Sequence, residues 1–403
     1  MVLKEKVEKP KSYLKFIQIC FLNKDVNINQ MKYIILYVLL ITINTVSFAQ
    51  KKQKLFKDTL DNAFDISNYM YNLHGLLPII APITEPAVGF GASIATVYFI
   101  PKKPDSSKFQ MPDIAALAGG LTENGTWFAG GAYLGFWNKD KIRYRGIFGY
   151  GDIKLKYYGK GSDYLNKNPL KFSLNSTFLL QQVMFRICNS RFMIGGKYIF
   201  TKTNIMLFDD SDIGWLNPQD IELKNSGIGI IAEYENYDNI LSPNKGIRVN
   251  INYFQSLELL GGDLNFGRGT FFLHYYIPLF SKKIISAYRI ESQIATGNNP
   301  FYMNPFIYAR GIAAMRYQGD ITALVETEQL FSIYKRWSIV GFAGTGITYN
   351  LKEMAYNSNK IWNFGGGFRY LIARKLGLKM GVDLAKSPDN WGIYIIFGTA
   401  WIK

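Results

Sequence analysis

Apolar and polar residues alternate along most of the chain from residue 76 to the C-terminus. In residues 376–384, five apolar side chains occupy the even positions, and glycine, lysine, glycine and aspartate occupy the odd ones. Residues 247–253 and 288–294 show the same pattern. A period of two places one face of a β-strand in an apolar medium and the other in a polar one. The sequence therefore predicts an all-β fold.

Two surroundings can explain such strands: the core of a soluble sandwich, or the lipid around a membrane barrel. The segments are often ten to fifteen residues long, with polar faces rich in Gly, Arg, Glu and Asp. Aromatic residues such as Tyr157, Tyr158, Trp337 and Trp391 border the apolar faces. After residue 50, no run approaches the ~20 apolar residues of a membrane helix. These features favour a transmembrane antiparallel β-barrel, which satisfies its backbone polar groups by closing on itself.

Turn signals divide this region into about sixteen strands, and bacterial barrels have an even number of strands. The predicted strands are 76–84, 87–100, 111–121, 125–138, 141–157, 170–188, 191–207, 222–237, 245–259, 265–279, 283–297, 319–333, 336–349, 361–373, 375–386 and 391–402. Longer connections are expected outside the cell and short turns in the periplasm. The longer connections are 159–169, 208–221, 298–318 and 350–360.

The start of the chain is expected to lie outside the mature fold. Residues 31–49 have a positive start, a short apolar core and small residues at their end, which is typical of a secretory signal peptide. Residues 1–30 are interpreted as a non-native extension, with Met31 as the true start. Residues 50–75 are polar, and are predicted to be a short periplasmic tether before a barrel at 76–403. The sequence thus predicts an exported protein of the outer membrane of a Gram-negative bacterium.

Composition argues against several classes of function. The net charge of +16 is spread thinly along the strands, so we expect no nucleic-acid partner. Histidine occurs only at His74 and His274, and the removal of Cys20 with the leader would leave Cys188 alone. We therefore expect no disulfide, no metal site and no cofactor. The sequence contains no nucleophile elbow and no phosphate loop, so it predicts no enzyme.

One connection differs from an ordinary solvated loop. Residues 306–319 read FIYARGIAAMRYQG, in which Arg310 and Arg316 are embedded among apolar residues. A segment that is both apolar and cationic suits a place where it folds back against protein. A hydrophobic surface loop with incidental charges is the alternative.

This segment connects the eleventh and twelfth predicted strands, and there the chain resembles the Omp85 superfamily of outer-membrane assembly and translocation barrels. In that family, the corresponding loop folds into the lumen and carries an Arg-Gly-aromatic tip. The matching residues are Arg310, Gly311 and Ile312, with isoleucine in place of the aromatic residue. The resemblance implies an internal loop, including Arg316, that latches onto the inner wall.

Other stretches agree with the resemblance in the same order along the chain. Asp238, Pro243 and Gly246 match a family hairpin in which an aspartate precedes a Pro-x-x-Gly turn. Residues 364–370 and 381–383 are similar to the two penultimate strands of the family barrel. Together with the loop, these stretches extend the resemblance over most of the predicted barrel.

The chain also departs from the family pattern in three places, and the second and third of these limit what can be inferred about function. The end of the chain, with Gly398 and Trp401, resembles the C-terminal signal that the assembly machinery reads, but it closes on Lys403 instead of an aromatic residue. The acid of the family's Phe-x-Asp-x-Gly motif in the thirteenth strand is replaced by Gly344. The periplasmic POTRA repeats, which receive client chains, have no room in residues 50–75.

The resemblance implies a role in outer-membrane protein assembly or translocation. A lipoprotein or an assembly-machinery subunit would then supply the receptor, and outer-membrane lipid is the other expected partner. Pro78 and Pro82 each remove a ladder donor from the first strand, so we expect a weak seam between the first and last strands. A passive channel or a structural barrel plugged by its internal loop is the alternative function.

If the loop folds into the lumen, the guanidinium of Arg310 requires acid or carbonyl partners there, because an unpaired buried charge costs several kcal/mol. The alternative is that Arg310 lies exposed on an external loop with no fixed partner. With Gly344 in place of the usual aspartate, Glu328 is the first expected partner, since the family places an inward glutamate on the twelfth strand. Asp383 is the second, because its alternation with apolar neighbours points it inward.

Overall fold

The computed structural model describes residues 56–72, 76–100, 102, 112–160, 163–207, 219–280, 283–351, 355–356 and 361–401. The expected extension 1–30 and signal peptide 31–49, together with His74 and Lys403, lie outside these residues. The chain divides into two compact units, residues 1–63 and 64–403. In the first unit, the described residues include a turn in which the Asn62 amide donates to the Asp58 carbonyl at 3.0 Å.

The second unit consists mainly of β-strands. The strands are β1 (Leu76–Ile83), β2 (Gly91–Ile100), β3 (Asp113–Thr122), β4 (Trp127–Trp137), β5 (Ile142–Tyr157), β6 (Leu170–Arg186), β7 (Phe192–Leu207), β8 (Gln219–Tyr237), β9 (Gly246–Ser256), β10 (Phe266–Leu279), β11 (Ile284–Gly297), β12 (Ile321–Tyr334), β13 (Trp337–Asn350), β14 (Ala355–Tyr356), β15 (Ile361–Ala373), β16 (Leu378–Lys386) and β17 (Trp391–Phe397). The helices are α1 (Ser67–Asn72) and α2 (Asp163–Lys167), with 3-10 turns at Glu258–Leu260, Phe301–Met303 and Arg374–Leu376. No helix in the described ranges is long and apolar enough to cross a membrane.

Successive strands pair antiparallel, so the wall is one continuous sheet. The exception is β14, whose two residues pair with the end of β13, while β13 itself continues to β15. Apart from β14, sixteen strands form a nearly closed antiparallel barrel, which confirms the predicted fold. No register between described residues joins β1 to β17, so a seam separates the first and last strands.

The two faces of each strand differ as a period of two requires. On β12, Val325 is 52% exposed and faces outward, whereas the adjacent Glu326 is 1% exposed. On β9, Ile251 is likewise exposed and Asn250 is buried. The outer surface is therefore apolar, and the buried polar side chains line the lumen.

The last strand is shorter than the predicted 391–402. It stops before Gly398, which turns the chain at φ 79°, a conformation that glycine adopts without strain. The Thr399 amide then donates to the Leu241 carbonyl at 3.0 Å, and Trp401 is buried. The two residues expected to end the C-terminal strand, Gly398 and Trp401, instead form a turn that directs the chain into the barrel.

The segment ahead of β1 is fastened to two turns at the end of the barrel where β1 begins. Asp65 caps α1 by accepting from the Ser67 amide at 2.6 Å. Its other oxygen accepts from Arg336 at 2.6 Å and from the Arg374 amide at 2.9 Å. Part of the predicted tether 50–75 is therefore anchored to the barrel.

The hairpin between β8 and β9 is built around Asp238. One carboxylate oxygen accepts from the amides of Asn244 and Lys245 at 2.9 and 3.1 Å, and this closes the turn that contains Pro243. Gly246 then starts β9 at φ 120°. The three residues singled out from the sequence thus lie together in one turn.

Gly246→Ala should destabilise the barrel, because an added Cβ would lie 1.8 Å from the Asn236 carbonyl oxygen at a positive φ. We expect a loss of about 1–3 kcal/mol, seen as a lower temperature at which the protein loses its compact band on unheated gels. Gly341→Ala is the matched control, since an added Cβ there meets no atom within 4 Å. Equal losses in the two variants would contradict this explanation.

Candidate functional site in the barrel lumen

The connection between β11 and β12 folds into the barrel. Its neck is a short antiparallel bridge, in which the Ile307 amide donates to the Tyr317 carbonyl at 3.0 Å. Ile307 and Ile312 are buried against Leu324 of β12 and Ile361 of β15. We refer to residues 306–319 as the internal loop.

The far side of the internal loop reaches the opposite wall. Met315 packs against Phe172, Leu174 and Ile205 on β6 and β7. The loop therefore occupies the width of the lumen rather than lying on one strand. Its apolar residues, which are unusual for a connection between strands, form the packed interior of this part of the barrel.

Arg310, at the tip of the internal loop, inserts among three carboxylates. Its NH1 lies 2.6 Å from Asp383 and 2.8 Å from Glu328, and its NH2 lies 3.3 Å from Glu326. The Asp383 contact is a hydrogen bond, whereas the Glu328 contact is ionic without hydrogen-bond alignment. The guanidinium also lies over the Phe342 ring, 3.5 Å from its centroid. The structure thus brings Arg310 to both acids that the sequence named.

The charge of Arg310 is held by its surroundings. Burial alone would lower the pKa of this guanidinium, but Glu328, Glu326 and Asp383 keep the pKa above its ordinary value. The side chain is only 7% exposed. Arg310 therefore stays charged, and its desolvation is offset by several acids at once.

Glu326 is the centre of this arrangement and was not predicted from the sequence. Its carboxylate accepts from Arg289 at 3.1 Å, from Asn363 at 3.1 Å and from the Trp401 indole at 2.8 Å, besides contacting Arg310. The side chain is completely buried. The acid is thus satisfied by strands β11 and β15, the internal loop and the end of the chain.

The position of Glu326 explains the missing acid at Gly344. Glu326, Gly344 and Asn363 are direct partners in one row across β12, β13 and β15. A Cβ on Gly344 would lie 2.6 Å from the Asn363 amide oxygen and 3.1 Å from Glu326 Cγ. The absent side chain leaves room for Glu326 and Asn363 to hydrogen-bond across the glycine. In this row of register partners, the acid is therefore carried by β12, as Glu326, and not by β13.

Further arginines balance the remaining acids. Arg369 of β15 donates to both oxygens of Asp383, at 2.5 and 2.9 Å. Arg289 of β11 pairs with Glu291 at 2.7 Å and also donates to the Tyr308 carbonyl of the internal loop at 2.9 Å. The wall from β11 to β16 thus carries alternating charges that are nearly all engaged.

Gly311 lets the tip of the internal loop approach the wall closely. Its φ is 86°, and a Cβ there would lie 3.2 Å from the Lys386 carbonyl carbon at the end of β16. Its amide donates to the Tyr394 hydroxyl on β17 at 2.8 Å. Ile312 follows in the apolar cluster, at the position where the family has an aromatic residue.

Arg316 makes a second, more exposed anchor. Its guanidinium donates to both oxygens of Asp389, in the turn between β16 and β17, at 2.9 and 3.1 Å, and lies over Tyr158. Burial would raise the pKa of Asp389, but hydrogen bonds from Arg316 and Tyr317 hold it below its ordinary value. The stability that this lowered pKa contributes is fully present when the pH is above the ordinary pKa of aspartate. It is lost as the pH falls through the lowered pKa of Asp389.

The internal loop also contacts the connection between β1 and β2. The Ala314 amide donates to Glu85 at 3.0 Å. Burial raises the pKa of Glu85, and the hydrogen bond from the Ala314 amide offsets only part of that shift. The loop therefore has attachments beside both strands that flank the seam.

The described lumen has no arrangement suited to a metal. Within the described ranges, no group of three or more His, Cys, Asp or Glu side chains is placed to hold a metal ion. The acids around Arg310 face guanidinium groups instead. The geometry is that of an anchored loop.

The sequence model of the Omp85 superfamily domain matches residues 152–373, more than half of the chain. The chain belongs to the Omp85 superfamily. Barrels of this superfamily are outer-membrane proteins of Gram-negative bacteria that act in assembly and transport. The matched region contains the internal loop and Glu326, and thus most of the site.

Solved structures with the same fold include two kinds of Omp85 protein. BamA from Haemophilus ducreyi lacking POTRA domains 1-3 has a TM-score of 0.55 at 12% identity, over 80% of this chain and 70% of that one. CdiB from Escherichia coli has 0.57 at 8% identity, and CdiB from Acinetobacter baumannii 0.51 at 13%. Each covers 80% of this chain, which spans 62% and 59% of the two CdiB chains. No curated protein matches the sequence.

Arg310→Ala should release the internal loop while the Omp85 barrel stays folded. Removing one partner of a buried charge cluster costs roughly 3–5 kcal/mol, because the acids lose their counter-charge. Chymotrypsin should then cut within residues 306–318 much faster than in the wild type. Arg316→Ala is the matched control, and its partly exposed pair should cost about 1 kcal/mol or less. A loop that stays protected in Arg310→Ala would contradict the anchoring role.

Moving the carboxylate from position 326 on β12 to its register partner, position 344 on β13, should preserve the anchoring of Arg310. Glu326→Ala should expose the loop to chymotrypsin, because Arg310 and Arg289 lose their shared acceptor. Adding Gly344→Asp should restore protection. The Asn363 side chain, which no longer donates to Glu326, can turn away from the new Cβ, and the new carboxylate enters the space that Glu326 vacates. A folded double variant with a loop as exposed as in Glu326→Ala would show that the two positions are not interchangeable.

Proposed function

We propose that this Omp85 barrel takes part in outer-membrane protein assembly or translocation, and that it works through the seam between β1 and β17. The internal loop is the latch of that seam, anchored by Arg310. Partner subunits, such as a lipoprotein or a component of the assembly machinery, receive the client chain. Membership of a superfamily of assembly factors and transporters supports the general role.

The observation that carries the proposal is that the internal loop bridges the unpaired seam. On the β17 side, Gly311 donates to Tyr394 and Arg316 pairs with Asp389. On the β1 side, Ala314 donates to Glu85. Within the described residues, no backbone pairing joins β1 to β17. Side chains and amides of the internal loop connect the two sides of the seam instead. Releasing the loop would therefore free the seam.

The seam itself has the properties of a surface that can open. Pro78 and Pro82 each lack the amide that a partner strand would need. Beyond the end of β1, a cleft of about 480 Å³ lies between the β1–β2 connection and β17, lined by residues such as Phe90 and Trp391. A client strand would find an apolar, unpaired edge there.

The export of the protein remains part of this proposal. A signal peptide at 31–49 would deliver the chain to the periplasm, and the apolar outer face would place the barrel in outer-membrane lipid. In this proposal, partner proteins receive the client chain.

A structural or channel-forming barrel is the alternative, and one observation favours it. The internal loop packs against both walls, through Ile312 on one side and Met315 on the other, so it obstructs the lumen. In this alternative, the loop is a permanent plug and has no connection with a client.

Purification from native outer membranes separates the two functions. An affinity tag placed ahead of residue 56 leaves the buried Trp401 undisturbed, and an unrelated barrel with the same tag is the control. We expect assembly or secretion components to copurify with this protein and not with the control. A solitary barrel that conducts ions in planar bilayers would contradict the proposal and favour the channel.

A further inference from the structure

The lumen wall from β5 to β10 carries more positive charges than its own acids neutralise. A cavity of about 650 Å³ lies against this wall. Five cationic side chains and three carboxylates line it. The cations are Arg143, Arg145, Lys197, Arg248 and Arg268, and the carboxylates are Glu233, Glu235 and Glu291.

The three carboxylates are already engaged. Glu233 pairs with Arg248 at 2.9 Å, and Glu235 pairs with Arg143 at 3.2 Å. Glu291 pairs with Arg289 at 2.7 Å, outside the cavity lining. No acid of the cavity is left over for the other cations.

Arg145, Lys197 and Arg268 form no ion pair with any described carboxylate. Lys197 donates to the Asn252 amide oxygen at 2.7 Å, and Arg268 donates to the Gln293 amide oxygen at 2.6 Å. The Nε of Arg268 is buried without a hydrogen-bond acceptor. Lys197 and Arg268 thus meet only neutral acceptors, and Arg145 has no described carboxylate within ion-pair distance. The cavity wall therefore carries three cations without an ion-pair partner among the described residues.

The three cations lie in one row across the barrel wall. Arg145 is the register partner of Gln182, which is the partner of Lys197, and the row continues through Gly229 and Phe254 to Arg268. With ~4.8 Å between strands, Arg145 and Lys197 stand ~10 Å apart along the wall, and Lys197 and Arg268 ~14 Å.

Gly229 gives the central cation its position. A Cβ on this residue would lie 2.8 Å from Cε of Lys197, so the glycine leaves the space that the lysine side chain occupies. Lys197 also lies over the Phe254 ring, 5.9 Å from its centroid. The ammonium group is thus held in the wall of the cavity rather than free in solvent.

We propose that this cavity is a binding site for a small polyanion that carries two or more phosphate or carboxylate groups. The volume suits a small-molecule ligand, and the spacing of the row requires more than one anionic group. Arginine and lysine are the side chains that bind phosphate and carboxylate most strongly. The row of cations lies on β5 to β10, whereas the Arg310 anchor contacts β12, β13 and β16, and the site goes beyond the proposed function.

Calorimetry with the full chain in an uncharged detergent tests the site, with inorganic pyrophosphate as the probe. We expect saturable binding at one site per barrel, weakened by added salt. Lys197→Gln and Arg268→Gln should each weaken it by roughly tenfold or more, because each removes a charge-assisted contact. Lys202→Gln removes the same charge from β7 outside the cavity, where Lys202 pairs with Glu222, and should change binding less than about twofold.

A second arm identifies the source of the anion. Short-chain cardiolipin, whose headgroup carries two phosphates, replaces pyrophosphate, and a loss confined to the two cavity variants would assign the site to a lipid headgroup. The same loss with pyrophosphate alone would assign it to a soluble anion. Absence of saturable binding by both probes, or equal affinities in all folded variants, would overturn the proposal. The compact band on unheated gels verifies that each variant is folded.

Discussion

The burial of one guanidinium determines how this barrel is filled. Arg310 is removed from water, so acids must surround it, and those acids in turn require donors of their own. Arg289, Arg369 and the Trp401 indole fulfil that requirement from three different places in the chain. The internal loop, the lumen wall and the end of the chain thus form one connected polar network inside an apolar shell.

The fold could be predicted because alternation reports directly on the two faces of a strand. Parity also placed Asp383 in the lumen, whereas the family resemblance placed Glu328 there and directed Arg310 toward both acids. The same parity puts Glu326 beside Glu328, yet its importance depends on its being the register partner of Gly344. Register across strands is a tertiary property, which a single sequence does not display.

The end of the chain illustrates a different limit. Residues 391–402 read as one strand because apolar residues continue through Trp401, and only the positive φ at Gly398 interrupts them. A glycine inside a strand-like run can be a bulge, a close approach or a turn, and these are not separable by composition. The inward position of Trp401 follows from that turn and from the buried acceptor that it meets at Glu326.

The contacts of Glu326 have a consequence for the order in which the barrel matures. Its partners lie at positions 289, 310, 363 and 401, so the carboxylate cannot lose its water until almost the whole chain has been delivered to the wall. A barrel lacking its final strands would hold this acid hydrated and the internal loop undocked. The fully docked loop therefore depends on contacts that only the completed barrel supplies.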